Sequence, residues 1–147
     1  MTKLFYNATS VAINDIGLLI EGAPKSGKSS LALSLIDEGA KLISDDLTFL
    51  CLKNNKLYAL PPEKMQGCLF IREFGILKIS EFQKEPVAVK VLIRLCQKET
   101  DFLNGEKEKK LFGVDIKVFN FLSSDFALTK KIKAVIKLIQ KEWELKE

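Results

Sequence analysis

The sequence predicts a mixed α/β fold with one largely continuous sheet and few helices. Three observations lead there. Short apolar runs separated by turn pairs recur along most of the chain. Amphipathic helical spacing occurs once early and once at the end. A glycine-containing loop joins an apolar strand to the early helix. The 147 residues suit one domain, 1–147, and the 47% apolar content supplies a core without disulfides.

Each element follows from local chemistry. Residues 10–13 and 17–20 are apolar runs around Asn14-Asp15, a turn pair, and read as a hairpin. Residues 22–29 form the glycine-containing loop. Residues 30–38 read as a helix with Leu31, Ala32, Leu35 and Ile36 on one face, stopped by Gly39. Residues 41–44 are a short strand ending at Asp45-Asp46. Residues 47–52 and 56–60 flank Asn54-Asn55, a second hairpin signal, before Pro61-Pro62 breaks the chain. Residues 69–71 and 76–79 are strand pieces around 72–75. Residues 87–95, rich in β-branched side chains, predict a buried strand. Residues 97–110 are polar and charged and predict a mobile exposed loop. Residues 111–122 read as one strand. In the last segment Ile132, Val135, Ile136, Ile139 and Trp143 recur at helical spacing, with lysines on the solvated face.

Composition excludes several functions. No histidine is present, which removes Ser-His-Asp and Cys-His catalysis and histidine metal sites. Any general base is then a carboxylate, a lysine or a cysteine. Of 23 basic residues only Arg72 and Arg94 are arginines, and the net charge is +4. Base readout favours arginine, so no nucleic-acid partner is expected. No apolar run approaches ~20 residues, so no membrane span is expected. The three cysteines lack CxxC spacing and the N-terminus lacks a signal-peptide core. A reduced, cytoplasmic chain is the expectation.

One motif carries chemistry. Gly22-Ala23-Pro24-Lys25-Ser26-Gly27-Lys28-Ser29 matches GxxxxGK[ST], the phosphate-binding P-loop. Its glycines let successive backbone N–H groups turn towards an anion, and the following helix adds its positive N-terminus. Lys28 can reach the β- and γ-phosphates, and the Ser29 hydroxyl can ligate Mg²⁺. The candidate nucleotide-binding residues are therefore Gly22 to Ser29 and Ser30 beyond them. Asp45-Asp46 lie at a strand end, 17 residues after Lys28. Acids so placed can hold Mg²⁺ or accept a proton from an attacking hydroxyl, and the same Ser-Asp-Asp run also favours a turn.

The run GLLIEGAPKSGKSSLALSLIDEGAKLISDD, from Gly17 to Asp46, resembles the HPr kinase/phosphorylase family. The lead-in from Ala8 to Ile13, Pro61-Pro62-Glu63, the segment from Gly67 to Leu77, and Leu111 to Val114 extend the likeness. The length matches a short form of the alphaproteobacterial type, corresponding to the C-terminal catalytic domain. The resemblance implies the P-loop core that this family shares with phosphoenolpyruvate carboxykinase. It implies ATP- and Mg²⁺-dependent phosphorylation of a serine on HPr, the phosphocarrier of a phosphotransferase system, reversed by phosphate in many members. It implies a homo-oligomer, commonly a hexamer. By position it makes Asp45 the general acid/base, Asp46 and Ser29 the metal side, Lys28 a phosphate ligand and Arg72 the family's arginine. Three positions depart from the pattern: Asn7 replaces a histidine, Phe70 a metal-binding glutamate, and Glu73 a glycine. Asn7 cannot carry a proton at neutral pH and Phe70 cannot ligate a metal. Two readings follow, a working protein serine kinase and a catalytically impaired nucleotide-binding regulatory module. A small-molecule kinase is disfavoured, because its lid usually carries arginines.

Overall fold

The computed structural model describes residues 3–146. The fold is mixed α/β. A nine-stranded sheet runs in the order β1-β5-β6-β9-β3-β2-β4, with β11 and β10 continuing from β9. The strands are β1 (Lys3–Tyr6), β2 (Thr9–Ile13), β3 (Ile16–Gly22), β4 (Lys41–Ser44), β5 (Thr48–Lys53), β6 (Lys56–Leu60), β9 (Val87–Cys96), β10 (Glu108–Leu111) and β11 (Val114–Leu122). A separate ribbon pairs β7 (Cys68–Ile71) with β8 (Gly75–Lys78). The helices are α1 (Lys28–Asp37), α2 (Glu99–Leu103) and α3 (Leu128–Ile139).

The centre of the sheet is β9. It runs parallel to β3 and β11, and its first residues pair antiparallel with β6. The carboxyl ends of β3, β9 and β11 therefore share one edge, where α/β sheets place their ligands. Between β3 and β9 the register slips, Gly17 opposing Val89 and Leu18 opposing Val91. The extra residue, Lys90, is exposed. A bulge of this kind exchanges the two faces of a strand. Val87 and Val89 accordingly face one core and Val91, Ile93 and Leu95 the other.

Those two cores cover both faces of the sheet. On one, Leu31, Ala32, Leu35 and Ile36 of α1 and Leu128, Ile132, Val135 and Ile136 of α3 pack on Leu18, Ile20, Val91 and Ile93. On the other, Leu50, Leu57 and Ala59 of the curled outer strands pack on Leu19 and Leu92. Each large side chain so buried stabilises the fold by about 1.5–3 kcal/mol. Asn14-Asp15 and Asn54-Asn55 take the left-handed conformation that tight hairpins need.

The structure departs from the sequence reading in three places. Residues 97–110 are not a structureless loop, for they hold α2 and β10. No residue of α2 is buried, so it shows no amphipathic signal. The run 111–122 is not one strand, because Phe112 and Gly113, both at positive φ, turn β10 back onto β11. Trp143 does not continue the stripe of α3, which ends at Ile139 with Lys141 left-handed beyond it, and its side chain is exposed. Among the described residues no helix is long and apolar enough to cross a membrane.

Candidate active site

The phosphate loop leaves the end of β3 at Gly22. A Cβ there would stand 2.5 Å from Ser26 Oγ and 3.1 Å from the Leu95 carbonyl, so any side chain would have to displace the Ser26 hydroxyl and crowd the Leu95 backbone. Lys25 and Gly27 are left-handed, at φ 65° and 97°, and bend the loop back on itself. Ser26 N–H donates to Ala23 O at 3.0 Å, and the first helical bond runs from Leu31 N–H to Gly27 O. The first turn of α1 holds no acidic residue, which keeps its N-terminus favourable for an anion. Lys28 Nζ reaches back 3.0 Å to Gly22 O, which sets the ammonium across the loop. Ala23, Pro24, Lys25, Gly27 and Ser30 are exposed, whereas Ser26 is buried, and its hydroxyl has no hydrogen-bond partner among the described residues.

Asp45, just past β4, gathers three elements. Its Oδ1 accepts from Ser29 Oγ at 2.9 Å and from Thr9 Oγ1 at 3.0 Å, and its Oδ2 accepts from Phe70 N–H at 2.9 Å. A carboxylate offers about four acceptor positions, so one lone pair on Oδ2 stays available. Asp46 is left-handed and exposed, and its N–H donates to Thr9 Oγ1 at 3.3 Å. Beneath them Ser10 and Thr48 hydroxyls lie 2.7 Å apart, and Thr48 donates to Ala8 O, so these buried polar groups are satisfied.

Lys28, Ser29 and Asp45 thus share one site. Arg72 lies exposed in the turn after β7, and among the described residues no side-chain hydrogen bond or ion pair joins it to that group. Thr9 is the residue that the sequence reading missed as a participant. Two small hydroxyl residues opening a buried strand were the available signal.

A second polar cluster borders the loop. Arg94 Nε donates to Glu21 Oε2 at 2.6 Å and Arg94 Nη2 to Glu106 Oε1 at 2.8 Å. Tyr6 donates to the other oxygen of Glu21, and Lys109 Nζ donates to the Tyr6 hydroxyl at 3.0 Å. Burial, reinforced by Glu21, pushes the Tyr6 phenol up. Burial alone would lower Arg94, but its bonds to Glu106 and Glu21 outweigh that and raise it. A cavity of about 500 Å³ opens here, lined by Asn7, Glu21, Gly22, Ala23, Arg94 and Gln97 among others.

No group of three or more Cys, Asp or Glu side chains capable of holding a metal occurs among the described residues. The oxygen donors at hand are Ser29, Asp45 and Asp46. That set fits Mg²⁺, which binds through one or two carboxylates and the substrate's phosphates and keeps several waters.

Residues 2–146 match the family described as HPr Serine kinase C-terminal domain. The chain is similar to the HPr kinase/phosphorylase of Stenotrophomonas maltophilia, 35% identical over 80 residues, which cover 54% of this chain and 25% of the relative. It is also similar to the HPr kinase/phosphorylase of Xanthomonas campestris pv. campestris, 39% identical over 70 residues, 47% of this chain and 22% of the relative. The match thus spans about a quarter of these curated relatives' length. The structure is similar to the Hpr(Ser) kinase/phosphatase of Coxiella burnetii, with a TM-score of 0.82 and 26% identity, over 95% of this chain and 97% of that one.

Proposed function

The chain belongs to the HPr Serine kinase C-terminal domain family, and on that premise we propose that it transfers the γ-phosphoryl group of ATP to a serine of an HPr-type phosphocarrier protein. One observation carries the reading. Asp45 touches Ser29 of the phosphate loop through Oδ1 and keeps a lone pair on Oδ2.

In the reaction, the acceptor serine oxygen bonds to the γ-phosphorus as the bond to the β–γ bridging oxygen breaks. ADP leaves, and the hydroxyl proton passes to Asp45 Oδ2. The loop from Gly22 to Gly27 and the α1 N-terminus, with Ser29 and Ser30, hold the phosphates. Lys28 carries positive charge to the transferring oxygens. Ser29, with Asp46 on the exposed side, would hold Mg²⁺, which would neutralise developing phosphate charge. Arg72, exposed in the turn after β7, would support the acceptor or its phosphoryl group once the carrier is bound.

A second reading, a nucleotide-binding regulatory module with impaired catalysis, is favoured by one observation. Phe70, whose N–H holds Asp45, stands where the family pattern has a metal-binding glutamate. Steady-state ADP release, measured with rising carrier concentration, separates the two. Carrier-dependent release is expected. ATP binding without it would favour the regulatory module.

A further inference from the structure

The β7–β8 ribbon carries large apolar side chains on both faces, with Lys78 beside Ile76 on the outer one. Leu69 and Ile71 point into the core and are buried. On the opposite face Phe70 and Ile76 pair directly across the strands, 54% and 63% exposed. Met65, from the preceding loop, is 63% exposed. A ribbon with one solvated face normally alternates apolar with polar residues. A cluster of large apolar side chains on the wet face instead marks a surface that something covers.

The position of this cluster says what covers it. Asp45, Met65, Cys68, Phe70 and Ile76 line one cavity of about 250 Å³. Asp45 straddles two sides, with Oδ1 on Ser29 of the phosphate loop and Oδ2 on the Phe70 N–H of the ribbon. Phosphates on the loop therefore lie on the Oδ1 side. A hydroxyl that gives its proton to the remaining Oδ2 lone pair arrives over Phe70 and Ile76. A second copy of the chain seated there would cover Asp45 and block that approach.

We propose that Phe70, Ile76 and Met65 form a seat for an apolar side chain that flanks the phosphorylated serine of the protein acceptor. This deepens the kinase reading and rests on it. The seat recognises the acceptor, and Asp45 and Lys28 do the chemistry. Specificity then comes from an apolar neighbour of the serine, since truncating a central aromatic anchor typically weakens an interface by about tenfold or more.

The test uses the full chain, Mg-ATP and an HPr-type phosphocarrier protein, with variants Ile76→Ser, Phe70→Ser and the conservative Phe70→Leu. KM for the carrier is expected to rise about tenfold or more in both serine variants and to recover in Phe70→Leu. ATP affinity is expected to stay at the wild-type value in Ile76→Ser. Unchanged KM in both serine variants would overturn the seat and leave the kinase reading standing. A fall in kcat at constant KM would also overturn it, showing that Phe70 only positions Asp45. Conversion of an oligomer to monomer by Ile76→Ser, at unchanged KM, would overturn it in favour of a second copy. If the wild-type chain binds ATP but transfers nothing, the kinase reading fails, and calorimetric binding of the carrier decides. Binding that the serine variants lose supports the seat, and no wild-type binding overturns it.

Discussion

Ser29 Oγ lies 2.9 Å from Asp45 Oδ1 and donates to it, tying the first turn of α1 to the end of β4. The contact joins a phosphate-loop hydroxyl to a carboxylate that can take a proton. Asp45→Asn preserves the shape and most hydrogen bonding but removes the charge and the base. Phosphoryl transfer is expected to fall by about 10²–10⁴-fold. ATP affinity, followed by nucleotide titration, is expected to change only a few-fold. Retained transfer in this variant would remove Asp45 from its assigned role.

Lys28 is the loop's own cation, its Nζ 3.0 Å from Gly22 O. Lys28→Ala is expected to weaken ATP binding by about 1.5–3 kcal/mol, about tenfold or more in Kd. The melting temperature without nucleotide should stay close to wild type, because the side chain is only partly buried. Calorimetric titration with ATP checks the first point and thermal unfolding the second.

Gly22 sits in a tight space. A methyl group there meets Ser26 Oγ and the Leu95 backbone. Gly22→Ala is expected to cost about 1–3 kcal/mol of stability. It should also lower ATP affinity, since the relaxation moves the loop. Urea unfolding and ATP titration of the same variant test both, and wild-type values in each would contradict the packing argument.

Arg94 holds Glu21 at the end of the strand that feeds the loop. Arg94→Met leaves the partly buried Glu21 carboxylate with fewer donors and is expected to cost about 1–3 kcal/mol. Glu21→Gln should recover part of this, giving a non-additive double-mutant cycle. Additive effects would mean that the two charges act independently.

Asp125 caps the approach to α3, accepting from Ala127 N–H at 2.8 Å and from Lys131. Lys131, then the Ala127 amide, hold its carboxyl below the ordinary value of 3.8. A carboxyl lowered in the folded state adds stability above its unfolded value, and loses it as pH falls through the folded one. The melting-temperature gap between wild type and Asp125→Asn is therefore expected to hold from neutral pH down to 3.8 and to close below it. A gap that persisted in stronger acid would contradict the assignment.

The turn pairs Asn14-Asp15 and Asn54-Asn55 and the helix stop at Gly39 made the early fold legible, since each acts within a few residues. The P-loop was legible because its spacing is local. The contact of Thr9 with Asp45 spans 36 residues, and the bulge at Lys90 depends on how β9 meets β3. Neither leaves a local pattern. The exposed α2 carries no hydrophobic stripe, and β10 is defined by its pairing with β11, so residues 97–110 looked structureless. The doublet Asp45-Asp46 was visible, but only the fold showed which carboxylate meets Ser29.

Intact-mass spectrometry of an HPr-type phosphocarrier protein, incubated with this chain and Mg-ATP, is the most direct test of phosphoryl transfer, with Lys28→Ala as the control. The expected result is a single added phosphoryl group on the carrier with the wild-type chain and none with Lys28→Ala. An unchanged carrier mass, from a wild-type chain that binds ATP, would contradict the kinase reading.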